Sequence, residues 1–295
     1  MAAMIACGSS PAASETDTGF KPEGILKADG NDAGTYSLIL ASGYNYETPD
    51  RSGDHAGQPF RHITQSYDSF LDKPVFDFWL HVENDDDRGK ANIKDRQRNE
   101  IKTDAKSPKS MVAQKGETLK ITWKFMLPEG MQTTTKFSHV HQLKGIDNSD
   151  GNADVSSPLI TFTCRSLSSG AQQFQIIYTA PTSSGKGNTY LHKSDLSEIL
   201  GEWLEVEETV RFDKEGSYSV TVKRMSDSKV IARLENKSLD LWRTGSTGMR
   251  PKWGLYRWFG TDRSSAHLLR DECLKFADFM PIITRHRHCH EKTSE

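Results

Sequence analysis

Twelve short segments rich in β-branched and aromatic residues, each closed off by turn-forming residues, constrain this chain more than any other feature. In order they are TYSLIL, KPVFDFWLHV, RNEIKT, ETLKITWKFMLP, KFSHVHQLK, PLITFTCRS, QQFQIIYTA, EWLEVEETVRF, GSYSVTVKRM, KVIARLE, KWGLYRWF and ECLKFADFMPII. Between them stand LPEGM, GIDNSDGNAD, SSGAQ, SSGKGN, DKEGS and TGSTGM, stretches whose Gly, Asn and Asp suit tight turns. Only KSDLSEIL reads as a short helix. The pattern predicts an all-β fold, an antiparallel two-sheet sandwich of jelly-roll type with a concave groove. Sandwiches often run past about 200 residues as one unit, so residues 34–284 are read as a single domain.

The ends read differently. MAAMIACGSSPAASETDTG resembles the end of a secretory signal with a lipobox-like MIAC, so residues 1–33 are read as a signal remnant and tether, with Cys7 as the lipid-bearing residue. The alternative is a plain disordered start. The tail at 285–295, RHRHCHEKTSE, is read as a solvated end rather than a metal site. No apolar run approaches the length of a membrane span, and the expected location is secreted or lipid-anchored at the cell surface or periplasm. A formal net charge of -2 and a pI near 6.6 exclude a global attraction to nucleic acid or an anionic membrane. Four cysteines are too few for a disulfide scaffold or zinc ribbon; Cys164 with Cys273 is the one bridge considered.

Side chains on a strand alternate between faces. In RNEIK, Arg98, Glu100 and Lys102 share one face. In HVHQLKG, Gln142 and Lys144 share a face with Val140, while His139, His141 and Leu143 point the other way. In KWGLYRW, Lys252, Gly254, Tyr256 and Trp258 share a face, opposite Trp253, Leu255 and Arg257. One such row is an ordinary solvated face; three rows of Arg, Gln, Lys and Tyr suggest a groove lining. Gly254 inside its strand marks the close approach of a ligand or of another backbone.

These three strands resemble, in order and spacing, those of the jelly-roll polysaccharide lyases, the alginate lyase, glucuronan lyase and heparinase I group, which share a concanavalin A-like sandwich. The counterparts are Arg98-Asn99-Glu100-Ile101, Gln142-Leu143-Lys144 and Lys252-Trp253-Gly254-Leu255-Tyr256, within a resemblance covering roughly residues 75–283. Such enzymes cleave uronate-containing chains by β-elimination. The resemblance implies Tyr256, His141, Arg98 and Gln142 as catalytic residues, with Lys144, Lys252, Lys102, Trp258, His62 and His81 as substrate-binding ones. The chain departs from the pattern where the family has His two residues after Gln, since Lys144 stands there. A bulge bringing His141 into the groove, His62 or His81 from elsewhere, or Tyr256 acting without a histidine would each fill that gap.

The chemistry fits those residue types. The proton beside a uronate carboxylate is barely acidic until cations and hydrogen-bond donors hold the carboxylate and the enediolate-like charge that develops. Arg98, Gln142 and Lys144 suit that role. Tyr256 suits proton transfer, and Trp258 suits stacking on a sugar ring. Glu100 is read as a structural partner of Arg98 or Lys102. No cofactor is expected; the acidic turn ENDDDR offers at most a structural calcium site but lacks the spaced ligands of a defined loop. The expected partner is an acidic polysaccharide, and the expected state a monomer. A non-catalytic, lectin-like sandwich is the alternative, for which a proton-transfer pair has no use. A retaining hydrolase needs two facing carboxylates, and EVEETV offers only Glu205 and Glu207.

Overall fold

The computed structural model describes residues 24–52, 60–90 and 92–284. The Cys7 segment and the histidine-rich tail therefore lie outside the described residues. Within the stretch read as tether, Leu26 is fully buried and exchanges two backbone hydrogen bonds with Phe279.

Two seven-stranded antiparallel sheets face each other. The first runs, in spatial order, β1 (Asn45–Glu47), β4 (Arg96–Lys102), β13 (Gly248–Trp258), β6 (Ser138–Ile146), β7 (Ile160–Ser166), β8 (Gln172–Thr179) and β9 (Asn188–Asp195). The second runs β12 (Val230–Leu239), β11 (Gly216–Arg224), β10 (Trp203–Arg211), β5 (Thr118–Met126), β14 (Glu272–Thr284), β3 (Lys73–Leu80) and β2 (Ile63–Asp68). This is the expected jelly-roll sandwich. Among the described residues, no helix is long and apolar enough to cross a membrane.

Period-two burial explains the layers. In β5, Leu119, Ile121, Trp123 and Phe125 turn inward and are at most 1% exposed. They meet Phe276 from β14 and, from the first sheet, Phe162, with the Trp123 and Phe162 rings 5.6 Å apart. Each such side chain contributes about 1.5–3 kcal/mol by leaving water. Cys164 points into this core, whereas Cys273 alternates with the buried Leu274 and lies on the outer side of the second sheet. Both are free thiols, and the bridge considered from the sequence does not form because the two face different layers.

Two local readings are corrected. TYSLIL, expected as a strand, is the helix α1 (Thr35–Ala41). Its buried residues Thr35 and Ile39 are four apart, the helical repeat. It ends in a Schellman arrangement: Gly43 has φ +86°, its N–H donates to the Leu40 carbonyl, and Tyr44 N–H donates to the Ile39 carbonyl. KSDLSEIL is no α-helix: β9 extends to Asp195, whose carboxylate caps a single 3-10 turn at Leu196–Glu198 through Ser197 N. Strands β1 and β2 carry few apolar residues, and β9 few buried ones, which is why composition did not reveal them.

Candidate active site

Bulges decide which side chains reach the outer face of the first sheet. Between β6 and β7 the register shifts across His139 and His141, and between β13 and β6 it shifts across Trp253 and Tyr256. Val140 and His141 therefore both turn inward, and His139 and Gln142 both turn outward. Strict alternation from Gln142 had placed His139 on the core side. On β13 the outward row keeps its register with β4: Lys252 opposite Lys102, Gly254 opposite Glu100, Tyr256 opposite Arg98. Gly254 has φ +141°, and a Cβ there would lie 2.0 Å from the Asn99 carbonyl oxygen. Its role is close approach of the β4 backbone.

At one end of this face lies a buried ionic floor. Glu100, 1% exposed, receives Arg98 Nη1 at 2.8 Å, Lys252 Nζ at 2.5 Å and the Gln142 side-chain amide. Glu47, from the edge strand β1, receives Lys252 at 2.7 Å, Arg98 at 3.2 Å and Lys102 at 2.8 Å. Asp87 receives Arg98 Nε at 2.7 Å and Arg88 at 2.9 Å. Burial pushes the Glu100 carboxyl upward, but Lys252 and Arg98 outweigh it and hold it below the usual carboxylate range. Charges this deep persist because every one is paired.

Beside the floor a cavity of about 300 Å³ opens across six strands, from Arg96 and Arg98 on β4 to Asn188 on β9. Tyr256 stands in it. Arg96 Nη1 donates to the Tyr256 hydroxyl oxygen at 2.9 Å, and the Arg98 guanidinium lies 3.7 Å from the centre of the Tyr256 ring. The His139 ring is 6.1 Å from that of Tyr256 and stacks on Phe137 at 4.8 Å, with Nδ1 2.8 Å from Thr163 Oγ1. Burial lowers His139 from 6.5 to about 3, with Arg165, Arg98 and Lys144 acting in the same direction and Glu100 against it. The ring is neutral at any physiological pH. Lys144 also lines the cavity and donates to the Ser156 carbonyl at 3.2 Å. Burial, then Lys252, Arg98 and Arg250, lower it from 10.5 to about 8.

Of the expected site residues, Tyr256, Arg98, Gln142 and Lys144 come together here. His141 does not: it is fully buried between the sheets, with Nε2 3.0 Å from Glu208 and Nδ1 2.9 Å from the Lys252 carbonyl. Tyr218 and Trp123 complete that polar strut through Glu208. Lys252, bonded to Glu100 and Glu47, and Lys102, bonded to Glu47, do not line the cavity, so both are struts of the floor rather than sugar contacts. Trp258 sits one outward step beyond Tyr256 and does not line the cavity.

His62 and His81 also lie away from it, gathered on Asp85: His62 Nε2 is 2.8 Å and His81 Nδ1 3.2 Å from its carboxylate oxygens. The ENDDDR turn thus spends Asp85 and Asp87 on protein donors. Glu205 and Glu207 point outward from the second sheet, where Glu205 meets Lys124 and Lys223. Sequence reasoning missed Arg96, Arg165 and Glu47. Arg96 was legible, being two residues before Arg98 on the same face.

The fold is similar to those of solved jelly-roll polysaccharide lyases. A marine PL-14 alginate lyase from Aplysia kurodai is 12% identical, with 90% of this chain and 100% of that one covered at a TM-score of 0.57. An endo-β-1,4-glucuronan lyase from the fungus Trichoderma reesei is 11% identical, covering 81% of this chain and 94% of that one at 0.51. A family 7 alginate lyase in complex with substrate is 15% identical, covering 83% and 94% at 0.51. No protein-family model matches the chain, and no curated protein matches it in sequence. At these identities the likeness establishes the fold.

Proposed function

We propose that this chain is a polysaccharide lyase that cleaves a uronate-containing polysaccharide by β-elimination. The observation that carries the reading is Tyr256, its hydroxyl held by Arg96 inside a cavity lined by Arg98, Gln142, Lys144 and Arg165. A lectin-like groove has no need of a tyrosine so held. The resemblance of the fold to alginate and glucuronan lyases supports the same reaction class.

In this mechanism Lys144, the outer edge of Arg98 and Gln142 hold the uronate carboxylate and stabilise the negative charge that spreads onto it as the C5 proton leaves. Glu100 fixes Arg98 and Gln142 in place from below. A base lowered to about 3 is a weak proton acceptor near neutral pH, so His139 is the neutral neighbour and Tyr256 moves the proton. The Tyr256 oxygen takes the C5 proton, the C4–C5 double bond forms, and the C4–O bond breaks. The leaving O4 then takes the proton from Tyr256, which returns to its starting form. Arg96 holds the oxygen throughout.

The test is release of unsaturated uronide ends, followed by ultraviolet absorbance, from glucuronan and alginate. Tyr256→Phe should abolish release while polymer binding persists, and His139→Asn should retain measurable turnover. Polymer binding by the parent protein without any absorbance would support the lectin-like alternative. A fully active Tyr256→Phe would overturn the mechanism.

A further inference from the structure

Beyond the cavity, the outer face of the first sheet carries a second group of side chains that the elimination step does not use. Tyr190 on β9 is 41% exposed, Lys193 Nζ sits 4.0 Å from its ring centre, and Arg165 Nη1 on β7 reaches its hydroxyl at 3.3 Å. Arg165 also lines the cavity, so the group is continuous with it. The Nε of Arg165 is buried without a hydrogen-bond partner among the described residues. Asp195, also on β9, accepts from Ser197 N and Oγ.

Register sets the direction. Tyr256 pairs with His139, His139 with Thr163, Thr163 with Gln175, and Gln175 with Lys193. Lys193 thus stands in the same row as Tyr256, four strand spacings away, or roughly 19 Å. An exposed aromatic face flanked by two cations suits a sugar ring that carries a carboxylate: the ring stacks and the cations meet the charge.

We propose that Arg165, Tyr190 and Lys193 form a distal subsite for an acidic sugar several units along the chain from the bond at Tyr256, so that the groove binds long 1,4-linked polyuronates across the strands. This rests on the polyuronate reading of the cavity and adds chain length as a determinant of recognition. Binding energy gathered so far from the reacting bond then serves to hold the polymer in register over Tyr256.

The experiment measures dissociation constants, by calorimetry at low salt, for long-chain glucuronan and alginate and for oligouronates too short to reach from Tyr256 to Lys193. A Tyr190→Ala/Lys193→Ala variant should bind the polymers about tenfold more weakly, the size expected for one exposed charge contact and one stacking contact. It should bind the short oligomers as the parent does. Lys193→Glu, which reverses an exposed charge and leaves the fold intact, should weaken polymer binding further, and added salt should narrow the difference. Unchanged polymer affinity, or an equal loss for polymer and oligomer, would overturn the subsite. All constants are read in the Tyr256→Phe background, which separates binding from turnover, so failure of the parent to eliminate would count against the lyase mechanism and leave this result standing.

Discussion

Neutralising Glu100 should damage this protein more than removing the lysine it pairs with. Its carboxylate lies at the centre of the floor, 1% exposed, with Arg98 at 2.8 Å and Lys252 at 2.5 Å. The floor holds the carboxylates Glu47, Asp87 and Glu100 and the cations Arg88, Arg98, Lys102 and Lys252. Glu100→Gln leaves two carboxylates to four cations, strips Lys252 of its nearest partner and takes from Arg98 one of its three carboxylates. Lys252→Met leaves the remaining charges matched in number. Breaking a buried pair by removing one partner costs about 3–5 kcal/mol, a large part of the roughly 5–15 kcal/mol that holds a domain folded. For a domain of this size each kcal/mol shifts the melting temperature by about 2–4 °C. Glu100→Gln should therefore melt roughly 6–20 °C below the parent, and Lys252→Met less than half as far below.

The sign with pH follows from the lowered Glu100 carboxyl. A depressed folded value contributes stability that is present above the ordinary value of 4.5 and is lost as the pH falls below it. The parent should lose this contribution on acidification, and the Glu100→Gln variant should lack that loss. The assay is thermal melting by circular dichroism at neutral and acid pH, with the double variant closing a mutant cycle. A Glu100→Gln protein melting within about 2 °C of the parent, or a Lys252→Met protein that is the weaker of the two, would refute the reasoning.

Three further outcomes are expected. Gly254→Ala should fail to fold or melt about 10 °C or more below the parent, since its Cβ would meet Asn99 O at 2.0 Å and Glu100 Cα at 2.7 Å; a normal melting curve would show that β4 yields freely. Burial lowers His62, but Asp50 and Asp85 outweigh it and raise it from 6.5 to about 9. Its contribution, on the order of 3 kcal/mol, is complete below 6.5 and is lost as the pH rises through about 9. His62→Gln should flatten that alkaline decline in chemical denaturation, and an unchanged slope would assign the decline elsewhere. Lys144, lowered to about 8, should make elimination fall as the pH rises through that value, and Lys144→Arg should move the fall upward; an identical profile for the variant would remove Lys144 from the reaction.

Particular residues show how far the sequence was legible. Alternation in RNEIK and KWGLYRW placed Arg98, Glu100, Lys252 and Tyr256 on one face, and the register confirms it. Alternation failed in HVHQLKG because the bulge at Val140 adds a residue, so it is His139 rather than His141 that joins Tyr256. A bulge depends on how the neighbouring strands pair, which no local pattern carries. Gly254 was legible as a point of close approach, and its crowding by Asn99 shows that the approaching group is backbone.

By itself the sequence determined the layers: the eleven of its twelve segments that are strands, with turn residues between them, leave a two-sheet sandwich as the structure that buries their inward faces. It determined, too, that charged groups line one face of the strands around Tyr256. Only the tertiary structure decided which of those charges are spent. Lys252 and Lys102 are consumed by Glu47, which lies some fifty positions before β4 in the chain and is brought beside it by strand pairing, whereas Lys144 and Arg165 are left to the cavity. The physical reason is that a buried charge persists only with a partner, and partners are assigned by strand pairing between residues far apart in the chain.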